Sequence, residues 1–172
     1  MCRVCRSLIT VVMPCPISRL SKELKEVQRD PDNDVVLKLA ESNNLFSWEA
    51  VLDGPPDTPY EGGSFCLRLQ IPPDYPMVPP VAWFVTKVFH PNVNFDTGAV
   101  CLDILKSRWS PAWTISSVCR AIISLLTEPD ARSPFNCDAG NLLRAGDVMG
   151  YNSLARMYAI TEAGAPPFND GE

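Results

Sequence analysis

The chain has 172 residues, 46% of them apolar and 20% charged, with a formal net charge of −5. That length suits one domain able to bury about 70% of its unfolded surface without covalent staples. The acidic balance excludes nucleic acid as a main partner, since phosphate contacts need concentrated positive charge, and is compatible with a basic protein partner.

Residues 1–22 carry Arg3, Arg6, Arg19 and Lys22 and no acid. With the apolar run Leu8–Met13 they are like a weak signal or transit sequence, but the run is too short to span a bilayer, and Pro14 and Pro16 break it. Residues 1–17 are therefore expected to be a disordered extension, with targeting or surface attachment as the alternative. Ser18–Arg29 reads as an amphipathic helix: Leu20, Leu24 and Val27 recur at helical spacing, Ser18 can serve as N-cap, and Asp30-Pro31 stops it. Arg19, Lys22 and Lys25 lie three apart, on one outward stripe that is either a solvated face or a docking site.

Four strands follow at Val35–Ala40, Phe46–Leu52, Ser64–Ile71 and Val81–Thr86, each short, rich in β-branched or aromatic residues and bounded by turn formers. The alternation Phe65-x-Leu67-x-Leu69-x-Ile71 predicts a sheet with one buried face. Connections too short for crossover helices predict an antiparallel meander. Eight prolines fall between Pro55 and Pro80, and Gly54–Gly63 is turn chemistry throughout. Beyond them Thr114 can cap a helix to about Leu126, broken by Pro129 and Pro134. Asn141–Arg144 is expected to add one turn and Asn152–Thr161 a last helix, with a frayed tail after Gly164. A helix, four strands, then helices make the α+β class, with the folded domain at 18–163 and a tail at 164–172.

Seven cysteines, odd in number and irregular in spacing, fit a reducing compartment with mostly free thiols. Cys2-x-x-Cys5 has no second pair or histidine at ligand spacing, so no metal site is expected. The single histidine opens the run His90-Pro91-Asn92-Val93-Asn94-Phe95-Asp96-Thr97-Gly98-Ala99-Val100-Cys101-Leu102-Asp103. Three roles are open to Cys101: a protease nucleophile with His90 as base, a buried structural residue, or a thiol that exchanges thioesters. His90 precedes Pro91, which suits pinning a turn better than swinging to a thiol. A polar loop just before Cys101 argues for a position near the surface. Thioester exchange needs no dedicated base, because a thiol is already a fair nucleophile near neutral pH. Its second step needs a donor for the oxyanion formed as an amine attacks, and the side-chain amide of Asn92 can supply one. The alternative for Asn92 is structural, satisfying backbone groups of the loop.

Trp48-Glu49-Ala50, the Gly54–Gly63 turn, Asp74-Tyr75-Pro76-Met77-Val78-Pro79-Pro80, His90-Pro91-Asn92, Cys101-Leu102-Asp103-Ile104-Leu105 and Trp109-Ser110-Pro111-Ala112 resemble, in order, the signatures of ubiquitin-conjugating enzymes. The resemblance runs from about Ser18 to Ala163. His90 and Cys101 lie eleven positions apart, one more than is usual in that family. That spacing, with Ser117–Ile123 and Asn136–Val148, resembles the peroxisomal, peroxin-4-type branch.

The resemblance implies that Cys101 forms the thioester, that Asn92 is the oxyanion donor, and that His90 and Pro91 organise the loop. It places Ser133 at the gate position beside the thiol and Asp103 in support of the active-site loop. It makes Arg19 and Lys22 a docking site for the activating enzyme, and Met77, Pro111 and Ala112 the docking loops for a RING ligase. Met77 stands where many members have Phe, and Met fills that apolar role more loosely. Residues 1–17 have no counterpart. The implied partners are ubiquitin, the ubiquitin-activating enzyme, a RING ligase, a membrane-anchored peroxin as recruiter and the peroxisomal import receptor as substrate. The implied location is the cytosolic face of the peroxisomal membrane. No cofactor is expected, ATP being used by the upstream activating enzyme. The rival expectations are another pathway or ubiquitin-like modifier, and a non-catalytic ubiquitin-binding adaptor.

Overall fold

The computed structural model describes residues 15–30 and 35–167. The Cys2-x-x-Cys5 pair, the Leu8–Met13 run, Pro31 and the last five residues lie outside them. The described elements are helix α1 (Pro16–Arg29), strands β1 (Val35–Leu39), β2 (Ser47–Asp53), β3 (Ser64–Gln70) and β4 (Val81–Phe84), a 3-10 turn (Asp103–Leu105), and helices α2 (Ile115–Thr127), α3 (Cys137–Arg144) and α4 (Val148–Ala163).

The sheet is the expected antiparallel meander in the order β1-β2-β3-β4. Period-two alternation turns one face to the core, as Trp48, Ala50 and Leu52 of β2 pair with Leu69, Leu67 and Phe65 of β3. All six are buried, while Arg68 and Gln70 face outward. Helix α2 lies against β1 and β2 and buries Ile115, Val118, Cys119, Ile122 and Leu126. Its start is the expected cap: the Thr114 side chain accepts from the Ser117 N–H, and Ser117 returns a bond to the Thr114 N–H.

Four expectations are corrected. Helix α1 begins at Pro16, so Ser18 is inside its first turn and its N–H donates to the Cys15 carbonyl at 2.9 Å. Proline suits a first helical position because its missing N–H would have had no partner there. Helix α3 spans eight residues, because the Asn136 side chain accepts from the N–H groups of Asp138 and Ala139 and starts the helix early. Helix α4 also starts early, at Val148, capped by Asp147 on the Gly150 N–H at 2.8 Å. Nor does the chain fray directly after Gly164. The Ala165 N–H donates to the Ala159 carbonyl at 3.0 Å, and buried Arg156 donates to the carbonyls of Pro166, at 2.6 Å, and Glu61.

Candidate active site

Residues Val88–Val93 are buried as the chain leaves β4. A short hairpin then returns it, with Val93 bridged to Val100 and Trp83 to Ala99. The turn is made by Asn94, whose Oδ1 accepts from the N–H groups of Asp96 (3.1 Å) and Thr97 (2.8 Å) and from the Thr97 hydroxyl (2.9 Å). Gly98 closes it at φ +72°, with its carbonyl accepting from the Phe84 N–H at 2.9 Å. A Cβ there would sit 2.0 Å from the Phe84 carbonyl oxygen, so only glycine fits. Below the turn the Cys101 N–H donates to the Asn92 carbonyl at 2.8 Å, which sets the thiol-bearing residue beside the asparagine. Cys101 is partly exposed.

His90 is buried, and its Nδ1 accepts the Asn92 N–H at 3.0 Å. The ring proton therefore sits on Nε2, which has no partner in hydrogen-bonding geometry. Burial pushes the imidazole pKa down to about 3, offset only partly by the Leu125 backbone. A neutral, enclosed histidine with its lone pair already used is not a base for Cys101. The protease pairing fails on geometry.

Asn92 is buried and its side chain is held at both ends. Nδ2 donates to the Asp130 carbonyl and Oδ1 accepts the Asp130 N–H, each at 2.8 Å. The Pro91 carbonyl accepts from Phe135 (2.7 Å) and Asn136 (3.1 Å). The loop after α2 is thus docked onto Pro91-Asn92, and one of the two Nδ2 hydrogens remains outside this clamp. Asp130 is itself paired with Arg132 at 2.7 Å, which lowers its carboxyl pKa to about 2. Ser133 lies exposed on this loop, and Asp103 is exposed at the start of the 3-10 turn. The Asp103 backbone carbonyl orders that turn, accepting the N–H groups of Lys106 and Arg108 at 3.0 Å each.

That turn brings up a residue that motif reading passes over. Lys106 Nζ donates to Cys101 Sγ at 3.0 Å and lies 4.8 Å from the centre of the Phe135 ring. The signature ending at Leu105 stops one position short of it; the only signal was a lysine five residues beyond the cysteine.

The docking residues divide. Arg19 is not on the free stripe: Nε pairs with Glu23 at 2.5 Å and Nη2 donates to the Trp113 carbonyl at 3.0 Å. Lys22 and Lys25 are exposed. Buried Glu23, which the helical periodicity gave no reason to single out, also accepts from the Tyr75 hydroxyl (2.7 Å) and the Ile115 N–H (2.8 Å). Desolvation and that carboxylate push the Tyr75 phenol up. Met77, Pro111 and Ala112 are exposed on two loops joined by the bond from Trp109 Nε1 to the Pro76 carbonyl at 2.8 Å. Among the described residues the cysteines at 15, 66, 101, 119 and 137 form no disulfide, and no group of three or more His, Cys, Asp or Glu is placed to hold a metal ion.

Residues 19–159 match the family model described as ubiquitin-conjugating enzyme. The chain is 57% identical over 143 residues to the Arabidopsis thaliana protein named peroxin-4, covering 82% of this chain and 90% of that one. It is 54% identical over 141 residues to the Dictyostelium discoideum ubiquitin-conjugating enzyme E2 pex4, covering 82% and 95%. Among solved structures, the E2 domain of a Toxoplasma gondii ubiquitin-conjugating enzyme superposes with a TM-score of 0.78 at 37% identity, covering 86% of this chain and 98% of that one. The hairpin that sets a partly exposed cysteine beside a clamped asparagine therefore sits in a chain that belongs to the ubiquitin-conjugating enzymes, with peroxin-4 proteins among its relatives.

Proposed function

We propose that Cys101 accepts ubiquitin from the activating enzyme as a thioester and passes it to an amine or thiol of a protein substrate. In charging, Cys101 Sγ forms a C–S bond to the ubiquitin acyl carbon as the C–S bond to the activating enzyme breaks. In discharge, an amine attacks the same carbon, the carbonyl oxygen becomes an oxyanion, and collapse expels Cys101 as a thiolate that takes up a proton. The Nδ2 hydrogen of Asn92 outside the Asp130 clamp is the oxyanion donor. The clamp holds the amide in one place, so donation costs no reorganisation. Ser133 gates approach to the thiol, and Asp103 supports the loop. ATP is consumed upstream, and no cofactor enters.

The observation that carries this reading is the bond from the Cys101 N–H to the Asn92 carbonyl, beside a histidine unable to act as a base. Incubation with activating enzyme, ATP and ubiquitin is expected to give a reductant-sensitive adduct that Cys101→Ala does not form. If Cys101→Ala still forms it, the site is misassigned. Exchange of ubiquitin for another ubiquitin-like protein in the same assay is expected to abolish it.

The relatives named peroxin-4 support a peroxisomal role. The chain acts with a RING ligase docked on Met77, Pro111 and Ala112, with exposed Lys22 of α1 on the side offered to the activating enzyme. Its substrate is the import receptor, which ubiquitylation releases from the membrane. Among the described residues no helix is long and apolar enough to cross a membrane, and a membrane-anchored peroxin is the proposed recruiter to the cytosolic face. Co-purification from peroxisomal membranes tests this; absence of such a peroxin from the purified material would remove the assignment.

A further inference from the structure

We infer that the apolar run Leu8–Met13 folds back onto its own chain and covers the face made by Ile17, Met77, Val78, Pro111 and Ala112. The run then masks the surface on which a RING ligase is proposed to dock, and this masking role rests on that proposed docking.

The fold ties three pieces of the face together. Arg19, near the start of α1, donates to the Trp113 carbonyl at 3.0 Å, and its guanidinium carbon lies 6.0 Å from the centre of the Tyr75 ring. Trp109 Nε1 donates to the Pro76 carbonyl at 2.8 Å and joins the two loops. Met77 and Val78 follow on one loop, 53% and 43% exposed, and Pro111 and Ala112 stand exposed on the other. On α1, Ile17 precedes Leu20 by three positions and Leu24 by seven, which puts all three on one side of the helix. Leu20 is fully buried and Leu24 partly buried in the core, yet Ile17 is 52% exposed. The inward stripe of α1 is thus left open at its first turn by the described residues.

The chain ahead of α1 has the length and chemistry to close it. Leu8-Ile9-Thr10-Val11-Val12-Met13 has five apolar residues in six. It ends two positions before Cys15, whose φ of −56° and ψ of 122° take the chain out of the helix in an extended direction. Pro14 biases Met13 toward extended geometry as well, so the run approaches as a strand and not as a continuation of α1. Side chains alternate along an extended run, which gathers Ile9, Val11 and Met13 on one side, all of them apolar. Measured from Cys15, the run covers distances of about 7 to 25 Å. Arg19, already in contact with the second loop, is only about 6 Å along the helix axis from Cys15. A segment linked so closely meets the face at an effective concentration on the order of mM. Charge agrees in sign: Arg3 and Arg6 precede the run, and exposed Asp74 opens the first loop.

The test labels the methionine methyl groups with carbon-13 in the full chain and in the double variant Ile9→Ser, Val11→Ser, and compares their NMR spectra. Met77 reports on the face, and Met149 and Met157 on α4 are the references. Expected is a Met77 signal that moves in the variant while the references hold, and a Met77 contact to isoleucine or valine methyls that the variant loses. Charging and unstimulated discharge to free lysine are expected to stay unchanged. Discharge stimulated by an isolated RING domain, well below its saturating concentration, is expected to rise at least about threefold, as for a face covered about two-thirds of the time.

An unchanged Met77 signal overturns the contact. So does a change confined to Met149 and Met157, which moves the run to α4. A Met77 signal in the parent chain that depends on protein concentration overturns it in favour of a second copy. Unchanged Met77 with vesicle binding (phosphatidylcholine with phosphatidylserine) that the variant loses assigns the run to a membrane surface instead. A Met77 signal that moves with no rise in stimulated discharge overturns the masking role. Failure of the proposed ligase docking is separable from these: a RING domain that stimulates the variant without moving its Met77 signal docks elsewhere, and removes the masking role while the contact stands.

Discussion

Replacing Asn92 with alanine separates two contributions of one side chain. The first is mechanical. The substitution removes both 2.8 Å bonds to the Asp130 backbone and leaves a part-buried N–H and carbonyl without partners. At about 0.5–1.5 kcal/mol per bond the loss is about 1–3 kcal/mol. For a domain of this size each kcal/mol moves the melting temperature by about 2–4 °C, so a fall of roughly 2–12 °C is expected by calorimetry or circular dichroism. The second contribution is chemical. Loss of an oxyanion donor slows acyl transfer by about 10²–10³-fold, and only the step in which the amine attacks should carry the whole of it.

The assay charges the variant, quenches the activating enzyme and follows single-turnover loss of the thioester to free lysine. Asn92→Ala is expected to charge, to melt lower and to discharge at least about 10²-fold more slowly. Two results would refute the reasoning, each a different half. If charging and discharge slow by the same factor, Asn92 acts only by holding the loop in place. If the melting temperature does not move, the clamp to Asp130 contributes nothing and the side chain is free to serve the chemistry alone.

His90 gives a pH dependence with a definite sign. Its pKa is about 3 folded, against about 6.5 in a model peptide, so below pH 6.5 the unfolded chain takes up a proton that the folded chain refuses. Stability is therefore full above pH 6.5 and falls as pH drops toward 3, by up to about 1.4 kcal/mol per unit; urea titrations at pH 7 and 5 should show a gap that His90→Gln narrows, and equal gaps would refute the assignment. Glu23→Ala removes the partner of Arg19, the Tyr75 hydroxyl and the Ile115 N–H together, and breaking such a buried pair is expected to cost roughly 3–5 kcal/mol in chemical denaturation. A loss under about 1 kcal/mol would mean water replaces the carboxylate. Trp109→Phe deletes the bond to the Pro76 carbonyl while keeping an aromatic ring, worth about 1 kcal/mol. It should reduce ligase-stimulated discharge and leave unstimulated discharge intact; parallel loss of both would place the effect outside the docking loops.

The legible parts of this fold are those in which one residue's chemistry decides one local outcome. Phe65, Leu67 and Leu69 alternate because β3 has one wet and one dry face, and Thr114 caps α2 with its own hydroxyl. Helix α4 is longer than its sequence pattern predicts because its apolar residues do not keep to one side: Val148, Met149, Leu154 and Met157 are exposed while Ala155 and Ala159 pack inward. The clamp on Asn92 was unreadable for another reason. Its partner is the backbone of a residue 38 positions away, and a backbone amide carries no mark of identity in a sequence. Arg19 misled in the opposite direction, since spacing put it with Lys22 and Lys25 while a buried acid one turn on drew it inward.

The longer spacing between His90 and Cys101 shows how such distances are absorbed. From His90 to Asn92 the chain is pinned by the imidazole and by Asp130, and from Val100 onward it is pinned by the Val93 bridge and the Cys101–Asn92 backbone bond. Between these fixed points residues 94–99 form a turn closed by its own groups, the Asn94 side chain and the Gly98 N–H on the Asn94 carbonyl at 2.8 Å. A residue added within 94–99 is taken up by a change of turn type, while the Val93–Val100 bridge and the Cys101–Asn92 backbone bond hold the register beneath it. The chemistry at the thiol is thereby insulated from the length of the turn. The turn itself presents Asp96 and Thr97 to solvent.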